Sequence, residues 1–330
     1  MKKVVTAVLS AALALTTVFG GFSVQAEEAQ ETVSLNVAYM PNYAALWAVL
    51  TGIDKGYFEE EGLELNLYEF ADGPTEIAAM ESGSIDLAYI GHGAHKLCIT
   101  GSAKIFALQQ VNDSDSIIAI KDHGIEKLED LAGKKVAYTS GTSSESSLRS
   151  ALDKAGLTWD DIEPYEMDAS NMVTSMVSGS IDACATWSPY NLQIVNEVES
   201  AEKISFSNDT VSLASWIALP DYAEENADIL LRFTRALYKA YDYGSQEENY
   251  EEVAQLVADQ CAIDYEIAFY QTEDANWYNQ DLIREGLEDG TIRDLYQKQQ
   301  DNFIRDGQVE SEVPLDDYIL FDNMEQALTD

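Results

Sequence analysis

Apolar and polar positions alternate from Val33 to Tyr39 and again from Leu65 to Phe70, the period-two pattern of strands, while Trp47, Leu50 and Ile53 between them recur at helical spacing. The helix is expected to end in the run Lys55-Gly56-Tyr57-Phe58-Glu59-Glu60-Glu61-Gly62-Leu63. Asp72-Gly73-Pro74 then turns the chain into a helix over Thr75 to Ser82, and a buried strand follows from Ile85 to Ile90, stopping at Gly91-His92-Gly93 where another helix starts. Ile105 to Val111 and Ser116 to Ile120 are β-rich runs separated by Asn112-Asp113-Ser114-Asp115, a candidate hinge. Val211 to Leu219 reads as a returning strand. Beyond Asp221 the pattern is helical, with Leu230, Phe233, Leu237 and Tyr241 on one stripe and Val253, Leu256 and Val257 on another.

A repeat organises these elements. Met80-Glu81-Ser82-Gly83-Ser84-Ile85-Asp86 returns as Met176-Val177-Ser178-Gly179-Ser180-Ile181-Asp182, and the flanking order returns with it. The strand ending Val37-Ala38-Tyr39 has its counterpart in Val136-Ala137-Tyr138, and Gly62-Leu63 in Gly156-Leu157. In both copies a glycine follows the last apolar turn of a helix, where positive φ is needed. The pattern predicts an α/β chain of two lobes, each built on a βαβαβ unit with flanking helices. The first lobe is expected over 33–112 plus 221–330 with the C-terminal helices, the second over 113–220. Open α/β sheets bind ligands outside the carboxyl ends of their strands, so the cleft between the lobes is the place to look for function.

Composition narrows the picture. Lys2 and Lys3 precede an apolar run from Val4 to about Phe22, and Val24-Gln25-Ala26 offers small residues for cleavage, the pattern of a signal peptide over 1–26 cut near Ala26. The mature chain is then expected to be secreted or extracytoplasmic. It would keep 17 of the 19 basic residues and all 59 acidic ones, which makes nucleic acid and anionic lipid poor partners. No cysteine precedes Cys98, so the usual lipid-attachment site of a bacterial lipoprotein is missing. Cys98, Cys184 and Cys261 each sit in an apolar stretch and are expected to be free, and their spacing fits no metal motif.

Candidate chemistry collects at the strand ends. Ser140-Gly141-Thr142-Ser143-Ser144-Glu145-Ser146-Ser147 lies between a strand and a helix, and holds more hydroxyls than an N-cap needs. Orphan N–H groups and hydroxyls at such a helix start suit an anion. His92, between two glycines, either meets the ligand or packs. Trp187, followed by Ser188-Pro189-Tyr190, would cover a ring or an alkyl chain, with Asn42 and Tyr43 facing the same opening and Trp216 behind. Asp168 follows the middle strand of the second lobe and could pair with a cationic group. No nucleophile elbow, Cys-His pair or acid/base carboxylate couple is marked, which leans away from an enzyme.

These residues resemble the solute-binding proteins of ABC importers for sulfonates, taurine, nitrate and thiamine-pyrimidine precursors. The likeness rests on Lys55-Gly56-Tyr57-Phe58 through Gly62-Leu63, on Gly83-Ser84-Ile85-Asp86, on Leu131-Ala132-Gly133-Lys134-Lys135-Val136-Ala137, and on Gly179 to Trp187 with Pro189-Tyr190. It implies a periplasmic-binding-protein-like fold of type II with two crossover strands, closing on one small molecule and handing it to an ABC permease with its ATPase. The ligand would lie among Asn42, Tyr43, Gly91, His92, Gly141, Thr142, Ser143, Ser144 and Trp187. A monomer without cofactor or metal is expected. The hydroxyl-rich helix start favours a sulfonate, taurine-like or other small anion, and the aromatic residues a thiamine-type pyrimidine. The acidic stretch Asn112 to Asp115 departs from the family's pattern and leaves room for a cationic group. A pyrimidine-making enzyme of related fold and a secreted sensor are the competing classes.

Overall fold

The computed structural model describes residues 32–206 and 211–329. The expected signal segment, 1–26, lies outside them. The chain starts with β1 (Val33–Tyr39), α1 (Tyr43–Asp54), α2 (Tyr57–Glu60), β2 (Leu63–Glu69), α3 (Gly73–Glu81), β3 (Leu87–Ile90), α4 (His95–Ile99) and β4 (Lys104–Asn112). It continues with β5 (Ser116–Ile120), β6 (Lys135–Tyr138), α5 (Ser143–Ala155), β7 (Glu163–Glu166), α6 (Ala169–Val177), β8 (Ala183–Thr186), α7 (Tyr190–Glu197), β9 (Ala201–Ile204) and β10 (Ser212–Ala218). The C-terminal part holds α8 (Pro220–Glu225), α9 (Ala227–Gly244), α10 (Tyr250–Cys261), α11 (Tyr265–Tyr270), β11 (Ala275–Trp277), α12 (Gln280–Glu288), α13 (Thr291–Arg305) and α14 (Phe321–Gln326).

Two sheets result, ordered β2-β1-β3-β10-β4-β11 and β7-β6-β8-β5-β9. In each, the strands of the repeat are parallel, β1 with β2 and β3, β6 with β7 and β8. The fourth strand is antiparallel and arrives from the far side of a crossover: β10 beside β3, and β5 beside β8. The chain therefore crosses from the first lobe to the second between β4 and β5, and back between β9 and β10. This corrects the expected domain boundary. The second lobe ends before Ser212 and not near Pro220, because the fully buried β10 pairs with β3 and β4 in the middle of the larger sheet. Two smaller expectations also shift. The first helix breaks at Lys55-Gly56 into α1 and α2, and the C-terminal part contributes the short edge strand β11.

The repeat is kept at the level of single hydrogen bonds. Asp86 Oδ2 accepts from Asn36 N at 2.7 Å, and Asp182 Oδ2 from Lys135 N at 2.8 Å. Asp86 N donates to Asn36 O, and Asp182 N to Lys135 O. The glycine before each, Gly83 or Gly179, holds φ at +78° or +67°, a conformation that costs other residues energy. The shared Gly-Ser-Ile-Asp is thus a clip that ties the foot of the third strand to the foot of the first.

The lobes differ in how they are covered. The first has one large core in which Trp47 stacks on Tyr241 at 5.2 Å and Trp216 meets Phe233 edge-on, α9 lying across α1 and the sheet. The second has two small clusters, one on each face of its sheet, around Val136 and Leu148 and around Met172 and Ile194. Cys98, Cys184 and Cys261 are free, the first two buried. No helix among the described residues is long and apolar enough to cross a membrane.

Candidate ligand cleft

The carboxyl ends of the parallel strands meet around a cavity of about 50 Å³ for the centre of a water-sized sphere. A single water takes up roughly 10–15 Å³ on that measure, so the space suits a few waters or a ligand of modest size. From the first lobe, the turn after β1 brings Asn42, the N-cap of α1, whose Oδ1 accepts from Ala45 N at 2.8 Å. The end of β3 brings Gly91, His92 and Gly93. From the second lobe come Gly141, Thr142 and Ser143 at the start of α5, and Trp187 and Ser188 after β8. The crossovers supply Asn112, Ser114, Asp115 and Ser212, and the turn before β11 supplies Asp274.

Backbone meets backbone at the cavity wall. A Cβ on Gly93 would lie 2.2 Å from the carbonyl carbon of Thr142 and 2.6 Å from Gly141 O, so only glycine permits this approach of the two lobes. Of the two side-chain links beside it, the Lys96–Glu145 pair spans the same gap and the Ser143–Asp115 bond ties α5 to the crossover. Lys96 Nζ is 3.8 Å from Glu145 Oε2, and Ser143 Oγ donates to Asp115 Oδ1 at 2.6 Å.

Seven of the residues expected from sequence line the cavity: Asn42, Gly91, His92, Gly141, Thr142, Ser143 and Trp187. The other four do not. Tyr43 is fully buried behind α1, its ring edge-on to Trp277 at 5.2 Å, because the C-terminal part of the chain covers this helix. Trp216 is fully buried in the first-lobe core and supports the cavity residue Tyr89 from behind, at 5.9 Å between ring centroids. Ser144 spends its hydroxyl on Ala185 O at 2.7 Å and accepts from Thr139 N at 3.0 Å, tying α5 to its sheet. Asp168 is exposed at the start of α6, away from the cavity.

The chemistry of the lining also differs from the expectation. The Thr142 and Ser144 hydroxyls of the Ser140 to Ser147 run are turned inward: Thr142 Oγ1 donates to Thr139 O and accepts from Ser144 N as the N-cap. Glu145, in the first turn of α5, accepts from Gly141 N at 2.9 Å and pairs with Arg149. Burial would raise its pKa, but the Gly141 N–H, Arg149 and Lys96 hold it below the usual carboxylate range. The helix start thus already carries a carboxylate of the protein, which weakens its claim as an anion site.

His92 has its ring engaged: Nδ1 is 2.8 Å from Gln299 Nε2, the ring also bonds the Val211 backbone, and it stacks on Phe303 at 4.6 Å. Burial, then the neighbouring His95, pushes its pKa down to about 3, so it stays neutral. It shapes the wall through packing.

Sequence reasoning missed Asp115 and Asp274. Burial pushes their carboxyls up to about 6 and about 7, against the hydrogen bonds that Ser143 and Ser212 give to Asp115 and Ser188 gives to Asp274. Asp115 had a signal, since it ends the acidic hinge stretch. Asp274 had none, lying in the helical C-terminal part.

The comparisons agree with the geometry. The family model described as "NMT1/THI5 like" matches residues 44–248. A protein of Brucella abortus named "Putative binding protein BAB2_1146" is 31% identical over 300 residues, which cover 88% of this chain and 92% of that protein. The taurine-binding periplasmic protein of Escherichia coli is 25% identical, with 68% and 73% covered. The formylaminopyrimidine-binding protein of Halalkalibacterium halodurans is also 25% identical, with 66% and 67% covered. Among solved structures, the periplasmic nitrate-binding protein NrtA from Synechocystis superposes with a TM-score of 0.72 at 15% identity, covering 90% of this chain and 88% of that one, which shows a shared fold.

Proposed function

The chain belongs to the NMT1/THI5-like family, and on that premise we propose that it is the extracytoplasmic receptor of an ABC importer, capturing one small molecule between its lobes. The observation that supports this reading is the cavity itself. It is walled by strand ends from both sheets and floored by both crossovers, so a ligand there bonds to both lobes at once and favours the closed form by its differential contacts. Release to a permease then requires the lobes to part, and the protein acts as a carrier and not as an enzyme. Trp187 offers an apolar face to the solute, and Asn42 and Ser143 offer polar groups. The sulfonate-like anion expected from sequence draws no support from this lining, which contains neither Lys nor Arg.

The test is native mass spectrometry of the protein after exposure to a bacterial metabolite extract, for the wild type and for Gly93→Val. The wild type should retain a small molecule. The variant, whose side chain would occupy the place of the Thr142 backbone, should retain at least about tenfold less, equivalent to ~1.4 kcal/mol, while its urea midpoint stays near wild type. A wild type that retains nothing, or a folded variant that retains as much, would overturn the reading.

A further inference from the structure

We infer that the solute carries a positively charged nitrogen, held between Asp115 on the first crossover and Asp274 ahead of β11. This deepens the receptor reading and rests on it. The two carboxylates reach the cavity from segments 159 positions apart in sequence that the fold brings to one wall, and Asp113 N donates to Asp274 O at 2.7 Å to hold those segments together. Both acids are half-buried, and the protein gives them hydroxyl donors: Ser143 and Ser212 to Asp115, Ser188 to Asp274. Among the described residues neither forms an ion pair. Lys203, whose charge acts on both, stands exposed on β9 and does not line the cavity.

Desolvating carboxylates without a cation is costly, and the protein shows that cost by holding their pKa values up. A cationic ligand would remove it, whereas an anion would add a third negative group to a site with no cation of its own. An ammonium, amidinium or protonated amino-heterocycle meets the requirement, with its apolar part against Trp187.

Isothermal titration with two fixed-charge probes, N-methylpyridinium and methanesulfonate, separates the alternatives, together with the charge class of the molecule retained from the extract. The retained molecule should contain a cationic nitrogen, and N-methylpyridinium should bind more tightly than methanesulfonate. Its affinity should rise between pH 5 and pH 8, because the probe does not titrate and selects the ionised carboxylates. Asp113 and Lys203 act on both carboxyls and Asp115 acts on Asp274, and Asp113 and Lys203 are exposed. Asp115→Asn/Asp274→Asn should weaken the retained molecule at least about tenfold and flatten the pH dependence.

A retained molecule without a cationic nitrogen overturns the inference and leaves the receptor reading standing. So does a tighter grip on methanesulfonate. If the molecule carries both charges, unchanged binding by the double variant overturns it. A wild type that retains nothing removes the receptor reading and this inference together.

Discussion

The two lobes are built from one repeat and end up with different duties. At the foot of each sheet the Gly-Ser-Ile-Asp clip is reproduced bond for bond, with Asp86 on Asn36 and Asp182 on Lys135. At the top the copies diverge. The helix after β1 is roofed by α9 and α10, so Tyr43 is drawn into the core while Asn42 stays at the cavity. The helix after β6 has no such roof, and Thr142 and Ser143 remain at the cavity wall. The difference teaches that the repeat fixes where strands begin and end, while the packing of non-repeated segments decides which strand-end side chains are free to meet a ligand.

The sharpest way to break this comparison is the tryptophan pair. Trp216→Ala should cost about 3–5 kcal/mol of stability, because it empties a fully buried site among Tyr89 and Phe233. Trp187, buried at 7% exposure but outside the three core clusters, should cost less stability than Trp216 when changed to Ala, and the change should lower ligand retention. Urea unfolding and native mass spectrometry read the two quantities, and a Trp187 variant that unfolds like Trp216→Ala would place the indole in the core.

A smaller effect tests the clip. Asp86→Ala and Asp182→Ala should each cost about 1–2 kcal/mol, the value of a charge-assisted hydrogen bond that is partly exposed. Asp182 also bonds His123 Nδ1 at 2.7 Å, so any excess at Asp182 should disappear in a His123→Ala background. An excess that survives His123→Ala would show that the two clips are not equivalent.

The smallest effect is expected at Tyr43, whose hydroxyl has no partner among the described residues. Tyr43→Phe should be neutral or stabilising by up to about 1 kcal/mol and should leave ligand retention unchanged, since it removes a buried polar atom that gains nothing. Reduced retention would return Tyr43 to the site.

Much of the architecture was legible along the chain. The βαβαβ repeat, the parallel strands and the first crossover at Asp113 to Asp115 follow from local periodicity and from glycines at positions of positive φ. The second crossover was misplaced because β10 reads as an ordinary apolar strand, and periodicity does not reveal which sheet a strand joins. At the site, Gly91, Gly141 and Trp187 were found because they sit where repeated strands end. The Ser140 to Ser147 run misled because composition counts hydroxyls and not their partners: Thr142 bonds the nearby Thr139 backbone, and Ser144 bonds the Thr139 and Ala185 backbone.

The sequence alone determined the two lobes, their repeat and the place of the cleft, since these depend on hydrophobic patterning and backbone conformation within short windows. The electrostatic character of the cleft was decided only in three dimensions. Asp274 reaches the cavity through a turn folded back from the C-terminal part, and Asp115 and Asp274 acquire their raised pKa values from burial above all, with neighbouring carboxylates adding to it: Asp113 for both and Asp115 for Asp274. Charge in a cavity is a property of which distant segments meet there and how much water they exclude, and no local pattern encodes either.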